Sequence, residues 1–257
     1  MNGPEWEDER RHGQGARTDD ASGPAGAVEP AGPAPESGAA GAHATARQPV
    51  TSAARSSALS PDVGSTPAFD LVVVAASAGG LDALSTVLGA LPPDFEAAVV
   101  VVQHLDPRHR TLLDTVLGRR TQLPVSLAEE GDCLRPGTVL VAPPDRHLLV
   151  NPGGTVGLSR SELVHFVRPS ADLLFDSAAG SYGDRVIAVV LTGTGSDGSM
   201  GVRAVHQSGG TVLAQDAATS MFFGMPGAAI ETGAVDFVLG LDEIGPALIA
   251  LVGGTAS

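Results

Sequence analysis

Four short runs in this chain are apolar at nearly every position rather than at every second one: LVVVAA (71–76), AAVVVVQ (97–103), RVIAVVLT (185–192) and TVLAQ (211–215). Their β-branched residues favour extended backbone, and a strand that is apolar on both sides has to be covered on both sides. Segments of helical period lie between them. Leu81, Leu84, Leu88 and Leu91 recur at helical spacing, as do Leu112 and Val116, and later Leu173, Leu174 and Ala178. The alternation predicts an α/β fold, a doubly wound, mostly parallel sheet flanked by helices. Residues 124–160 read differently, because TVLVAPPDRHLLVNPGGTVGL breaks into short strands at Pro-Pro-Asp and Asn-Pro-Gly-Gly turns. They predict a β-hairpin or meander inserted at one edge of the sheet. Pro169 and Ser170 mark a helix start, and Leu241 to Val252 carries the last helix.

The folded unit is expected to span 68–254. Residues 1–67 hold 8 of the 19 prolines, are rich in Gly, Ala and Ser, and have almost no large aliphatic side chain besides Leu59. Such a segment buries too little apolar surface to offset the entropy of ordering it, so disorder is expected there. It also lacks the apolar run of a secretory signal, and Glu5, Glu7, Asp8 and Glu9 stand where a transit peptide is basic. Nor does any stretch reach about 18 uninterrupted apolar residues, so neither export nor membrane insertion is expected and the predicted compartment is the cytoplasm.

The formal charge of −14 disfavours nucleic acid as a partner. All 15 basic residues are arginine, which removes the P-loop lysine and Schiff-base catalysis together. The single cysteine, Cys133, excludes an intrachain disulfide and a cysteine-cluster metal site, and its expected place is buried.

A doubly wound sheet binds ligands at the carboxyl ends of its strands. Three of these ends carry chemistry: Ser77-Ala78-Gly79-Gly80, then Gln103-His104, then Gly193-Thr194-Gly195-Ser196-Asp197-Gly198. Together they supply a hydroxyl, an imidazole and a carboxylate. Serine is inert until a base takes its proton, histidine titrates near neutral pH, and a carboxylate fixes the imidazole tautomer and stabilises its charged form. A serine at a strand-to-helix corner also lies beside free backbone N–H groups, that of Ala78 first, which can receive an oxyanion. The stretch Ala75-x-Ser77-x-Gly79 falls short of the G-x-S-x-G elbow, and the order Ser…His…Asp differs from the Ser…Asp…His of α/β-hydrolases.

Blander readings stand beside this one. Ser77 and Asp197 are both good helix N-caps, and His104 could be a satisfied strand-end histidine. His147, His165 and His206 read as structural. A rival function is nucleotide binding, since GTGSDG (193–198) matches G-x-G-x-x-G after a strand, with Asp216 at the end of the next strand. Its weakness is Asp197, a negative charge among the N–H groups meant for pyrophosphate.

Six stretches, in order, resemble the chemotaxis-type protein-glutamate methylesterases: AASAGG around Ser77, VVVQHLDP around His104, AEEGDCLRPGTVLVAPPDRHLLV from 128, RPSADLLFDSAA from 168, LTGTGSDGSMG around Asp197 and AQDAATSMFFGMPGAAI from 214. The resemblance covers nearly all of 69–252. It implies a serine esterase whose triad falls on Ser77, His104 and Asp197, with the backbone N–H of Thr194 helping to hold the oxyanion and no cofactor or metal. The implied substrate is a methylated receptor protein whose glutamate γ-methyl esters are hydrolysed with release of methanol; some members also deamidate glutamine. Family members commonly have Gly at Ala75, a hydroxyl residue at Ala78, and Met-x-Asn across Thr194 and Ser196. They also carry an N-terminal phosphoacceptor receiver domain, for which residues 1–67 are too few and too polar. The expectation is an esterase that is constitutively accessible or gated by a separate regulatory partner. A binding or signalling module that keeps the fold without turnover is the alternative.

Overall fold

The computed structural model describes residues 70–104 and 111–254; the disorder expected of residues 1–67 lies outside the described residues. Strand β1 (Leu71–Ala76) leads into helix α1 (Gly80–Gly89), followed by β2 (Ala98–Gln103), α2 (Leu113–Gly118), β3 (Val125–Leu127) and β4 (Val139–Val141). Next come β5 (His147–Asn151), β6 (Thr155–Ser159), α3 (Ala171–Tyr182), β7 (Val186–Val190) and α4 (Ser199–Gln207). The chain closes with β8 (Thr211–Gln215), α5 (Gly224–Glu231), β9 (Phe237–Leu239) and α6 (Leu241–Val252).

The main sheet has seven strands in the order β3-β4-β2-β1-β7-β8-β9, all parallel. Its centre is β1, every residue of which is buried. Because side chains alternate across a strand, β1 feeds two cores. Leu71, Val73 and Ala75 pack with Leu174, Phe175 and Ala178 of α3, Val202 and Val205 of α4, and the hairpin residues Leu148, Val150 and Val156. Val72, Val74 and Ala76 pack with Ala83, Leu84, Val87 and Leu88 of α1, Leu113 and Leu117 of α2, and Ile244 and Leu248 of α6. At about 1.5–3 kcal/mol for each fully buried aliphatic side chain, these two layers are the main favourable contribution to the fold. They also explain the uniformly apolar strands.

Three expectations are corrected. The strands β3 and β4 belong to the main sheet and run parallel within it, so the inserted hairpin is β5–β6 alone, a separate two-stranded sheet that packs on α3. In the helices Leu81 and Leu112 are exposed, and the inward positions are Ala83, Leu84, Leu113 and Leu117. Cys133 is exposed as well, because it sits in an isolated bridge to Thr155, away from the buried faces of both sheets. Among the described residues no helix is long and apolar enough to cross a membrane.

Candidate active site

The chain leaves β1 toward β2 on one side and later returns to β7 on the other, which puts the topological switch point at β1. The crevice outside the carboxyl ends of β2, β1 and β7 is where such a sheet receives a ligand. Ser77 follows β1, His104 follows β2, and Asp197 lies in the loop between β7 and α4. The register carries past the strand ends. Ala76 pairs with Gln103, and the backbone N–H of His104 donates to the carbonyl of Ala76 at 3.1 Å. The N–H of Ser77 donates to the carbonyl of Thr192 at 3.0 Å. Ser77 and His104 are therefore neighbours on adjacent strands, whose spacing is about 4.8 Å.

The imidazole and the carboxylate meet. His104 Nε2 lies 2.8 Å from Asp197 Oδ2, with both side chains largely buried. Ser77 is half-buried, and among the described residues no hydrogen bond joins its Oγ to His104. A loose nucleophile–base contact is common before substrate binds and closes on rotation of the serine side chain.

The capping alternatives are settled by geometry. The N-cap of α1 is Gly79, in the left-handed region at φ 76°, so the Ser77 hydroxyl caps nothing. Asp197 does not cap α4 either, since the N-cap there is Gly198 and no side chain bonds into it. Instead Asp197 reaches across to the start of α3. Its Oδ1 accepts from Ser170 Oγ at 2.8 Å and the Asp172 N–H at 3.2 Å, and its Oδ2 accepts from the Ala171 N–H at 2.6 Å. Burial pushes its pKa up, but the hydrogen bond from His104, the Ala171 N–H and the Ser170 hydroxyl outweigh burial and hold it below the ordinary carboxylate value. A carboxylate kept ionised in this way fixes the proton of His104 on Nε2 and leaves Nδ1 as the acceptor.

Two backbone N–H groups in the loops that meet here have no acceptor among the described residues, that of Ala78, next to Ser77, and that of Thr194. Thr194 is exposed, and Ala78 is half-buried. The peptides around them are anchored by Thr192, whose buried hydroxyl donates to the carbonyl of Ala78 at 3.0 Å and accepts the Phe222 N–H at 2.9 Å. Gly193 allows the two loops to touch, because a Cβ there would come within 2.8 Å of Ser77 Cβ. Met221, 65% exposed, packs its side chain over Gly79 and forms an apolar rim with Phe222.

Residues that pattern reading passed over hold this arrangement. Gln103, buried, donates from Nε2 to the carbonyls of Ser77 at 2.8 Å and His104 at 3.0 Å, tying the two loops together. Gln215, fully buried, accepts the Thr192 N–H at 2.8 Å. The signal for both was a lone polar residue closing an apolar strand. His147 and His165 prove structural in contact. His147 accepts the Ser170 N–H at Nδ1 and has Nε2 3.0 Å from the Glu162 carbonyl, whereas His165 pairs with Asp172 at 3.0 Å. His206 lies on α4, 3.7 Å from Asp236.

The nucleotide fingerprint at 193–198 fails on the same ground. The N–H groups of Met200 and Gly201 at the start of α4, which a pyrophosphate would need, donate to Asp172 Oδ1 at 2.9 and 2.8 Å. Asp216, meant for a ribose, is spent on its own turn, accepting from the N–H and hydroxyl of Thr219.

With the geometry in hand, comparison with known proteins is specific. The family model described as CheB methylesterase matches residues 72–248. The chain is 42% identical over 195 residues to the protein-glutamate methylesterase/protein-glutamine glutaminase of Moorella thermoacetica, covering 74% of this chain and 46% of that protein. It is 49% identical to the protein-glutamate methylesterase/protein-glutamine glutaminase 2 of Anaeromyxobacter dehalogenans, over 70% of this chain and 52% of that one. The chain thus spans about half the length of these curated relatives. A putative protein-glutamate methylesterase/protein-glutamine glutaminase of Leptospira interrogans, 38% identical, is matched over 95% of its length. Among solved structures, the CheB methylesterase catalytic domain of Thermotoga maritima superposes with a TM-score of 0.69 at 41% identity, covering 72% of this chain and 99% of that one.

Proposed function

The chain belongs to the CheB methylesterase family, and from that premise we propose that it is a serine hydrolase that cleaves glutamate γ-methyl esters on a receptor-type protein in the cytoplasm. Ser77 is the nucleophile, His104 the general base and acid, and Asp197 the residue that orients and charges the imidazole. The observation that carries this reading is the 2.8 Å pair between His104 Nε2 and a buried Asp197, one strand from Ser77 at the switch point.

His104 takes the Ser77 proton at Nδ1 as Oγ attacks the ester carbonyl, and the imidazolium that forms is stabilised by Asp197. The N–H groups of Ala78 and Thr194 receive the oxyanion. Collapse of the tetrahedral intermediate breaks the ester C–O bond, and methanol leaves with the proton from His104. Water, deprotonated in turn by His104, then cleaves the glutamyl-Ser77 ester, giving a glutamate carboxylate and free serine. An amide leaving group would follow the same path, so glutamine deamidation, named for the relatives, is a second reaction of the same site. Every step is one of proton transfer and acyl transfer, for which the residues named suffice.

Methylated receptor membranes incubated with the protein should release methanol, and Ser77→Ala should abolish the release while leaving the thermal midpoint unchanged. Turnover by Ser77→Ala equal to that of the parent protein would remove the serine from its assigned role. A fold retained for binding alone predicts no reaction of either protein with a serine-directed fluorophosphonate.

A further inference from the structure

Asp197 is one half of a reciprocal arrangement. It stands just ahead of α4 and accepts the first N–H groups of α3, from Ala171 and Asp172. Asp172, in the first turn of α3, accepts in return the N–H groups of Met200 and Gly201 in the first turn of α4. Each helix thus places its electropositive end on a carboxylate supplied by the other. The two helices are close enough at this point that a Cβ on Gly201 would meet Phe175 Cβ at 2.5 Å and Asp172 Cα at 3.1 Å. Each carboxylate also carries a histidine, His104 on Asp197 and His165 on Asp172, at 2.8 and 3.0 Å. His165, 47% exposed, connects this buried set to the surface.

We propose that Asp172 is a positioning residue for the Ser77–His104–Asp197 set: it locks the loop that presents Asp197 and keeps a second negative charge behind the His104–Asp197 pair. The inference rests on the esterase reading above. The N–H groups of Met200 and Gly201 donate to the Asp172 carboxylate and His165 Nε2 lies 3.0 Å from it, which suits the ionised form. The titratable groups that face it are Asp197, from the loop before α4, and His165, from the segment before α3. Burial, together with the neighbouring Asp197 charge, raises its pKa even though the Gly201 N–H and His165 act the other way. The fold keeps two carboxyl groups adjacent there although the charge of Asp197 makes that of Asp172 harder to hold.

Two consequences follow for the reaction. Loss of the carboxylate releases the start of α4, so Asp197 loses its register and His104 its orientation; misplacement of about 1 Å costs up to about 100-fold in rate. Loss of the charge alone removes a negative charge that favours the imidazolium formed during the reaction.

The test is the rate at which a fluorophosphonate modifies Ser77, followed from pH 5 to 9 in the full chain, with thermal midpoints in parallel. Modification of the parent protein at Ser77 with a single acid limb establishes the esterase reading on its own; no modification ends that reading and this inference with it. Asp172→Asn keeps an acceptor oxygen for Met200 and Gly201, so it tests the charge even where Asp172→Ala does not fold. Its plateau rate should stay within about 3-fold of the parent while the acid limb is displaced to lower pH. Asp172→Ala should show the same displacement and a plateau at least about 10-fold lower. An acid limb of Asp172→Asn superimposed on that of the parent overturns the proposal, and a lowered thermal midpoint without displacement makes Asp172 a purely structural cap.

Discussion

At the scale of single residues, the candidate site is governed by how each buried polar atom is satisfied. Asp197 is almost fully buried, yet its pKa is depressed, because burial, the largest single influence, is outweighed by His104, Ala171 and Ser170 acting together. Its folded form therefore binds a proton less readily than the unfolded chain does. The stabilisation is complete above the ordinary value of 3.8 and is lost as pH falls through the lower folded value. Asp172 has the opposite sign, since its folded pKa is raised, and its protonation relieves the fold as pH drops. Asp197→Asn should lower stability at neutral pH and flatten the loss of stability as pH falls below the ordinary carboxylate value, read from thermal midpoints. The same variant should slow modification of Ser77 by about 10³–10⁴-fold, the scale seen when a triad carboxylate is neutralised. Midpoint curves that stay parallel through that acid window would exclude Asp197 as the titrating group. Gln103 is a different case. Its Nε2 joins the carbonyls of Ser77 and His104, while its Oε1 is buried without a hydrogen-bond partner among the described residues. A chain tolerates an unsatisfied acceptor where the rest of the group matters. Gln103→Leu is expected to cost about 1–3 kcal/mol in a denaturant titration and to slow phosphonylation, because both loops lose their common donor.

At the scale of elements, the carboxyl-end loops and the crossing of α3 with α4 divide the work between them. The loops bring the reacting groups to one rim, and the crossing fixes how far the third of them reaches. At Gly201 the helices leave no room for a side chain, so Gly201→Val should destabilise by about 1–3 kcal/mol through overpacking and should also slow Ser77 modification. Arg203→Ala, two residues on and exposed, should change stability by no more than about 0.5 kcal/mol. Equal effects of the two would mean that the crossing is loosely packed.

The legibility of the sequence follows the same division. Doubly buried strands announce themselves by composition, so β1, β2, β7 and β8 were readable to within two residues at each end, and so was the sheet edge at which they stop. The short strands β3 and β4 were not, because three residues carry no period, and the choice between hairpin and parallel pairing lies in partners far along the chain. The phase of α2 was off by one position for a like reason, since it has only two buried side chains to define a face. Ser77, His104 and Asp197 could be singled out together only because each follows the carboxyl end of a strand of the same sheet, since each residue type taken alone has structural uses. Asp172 could not: an acid in the first turn of a helix is fully explained by its own helix dipole, which hides its partnership with α4.

At the scale of the whole molecule, one strand organises everything, because β1 divides its alternate side chains between two cores and ends at the switch point. The rim that carries Ser77 is therefore continuous with the centre of the fold, and its geometry depends on both layers of helices closing on the sheet. Among the described residues, the buried apolar side chains of the two cores run from Leu71 to Val252. The solved catalytic domain of Thermotoga maritima is matched over 99% of its length by this same part of the protein. The physical expectation is that nothing before residue 68 is needed to assemble the rim. A protein that starts at residue 68 should unfold within about 3 °C of the full chain, since a loss of 1 kcal/mol moves the midpoint by about 2–4 °C at this size. It should also react with fluorophosphonate at Ser77 at the rate of the full chain. A midpoint lower by 10 °C or more, or a rate changed several-fold, would mean that residues 1–67 contribute directly to the core or to the mouth of the site.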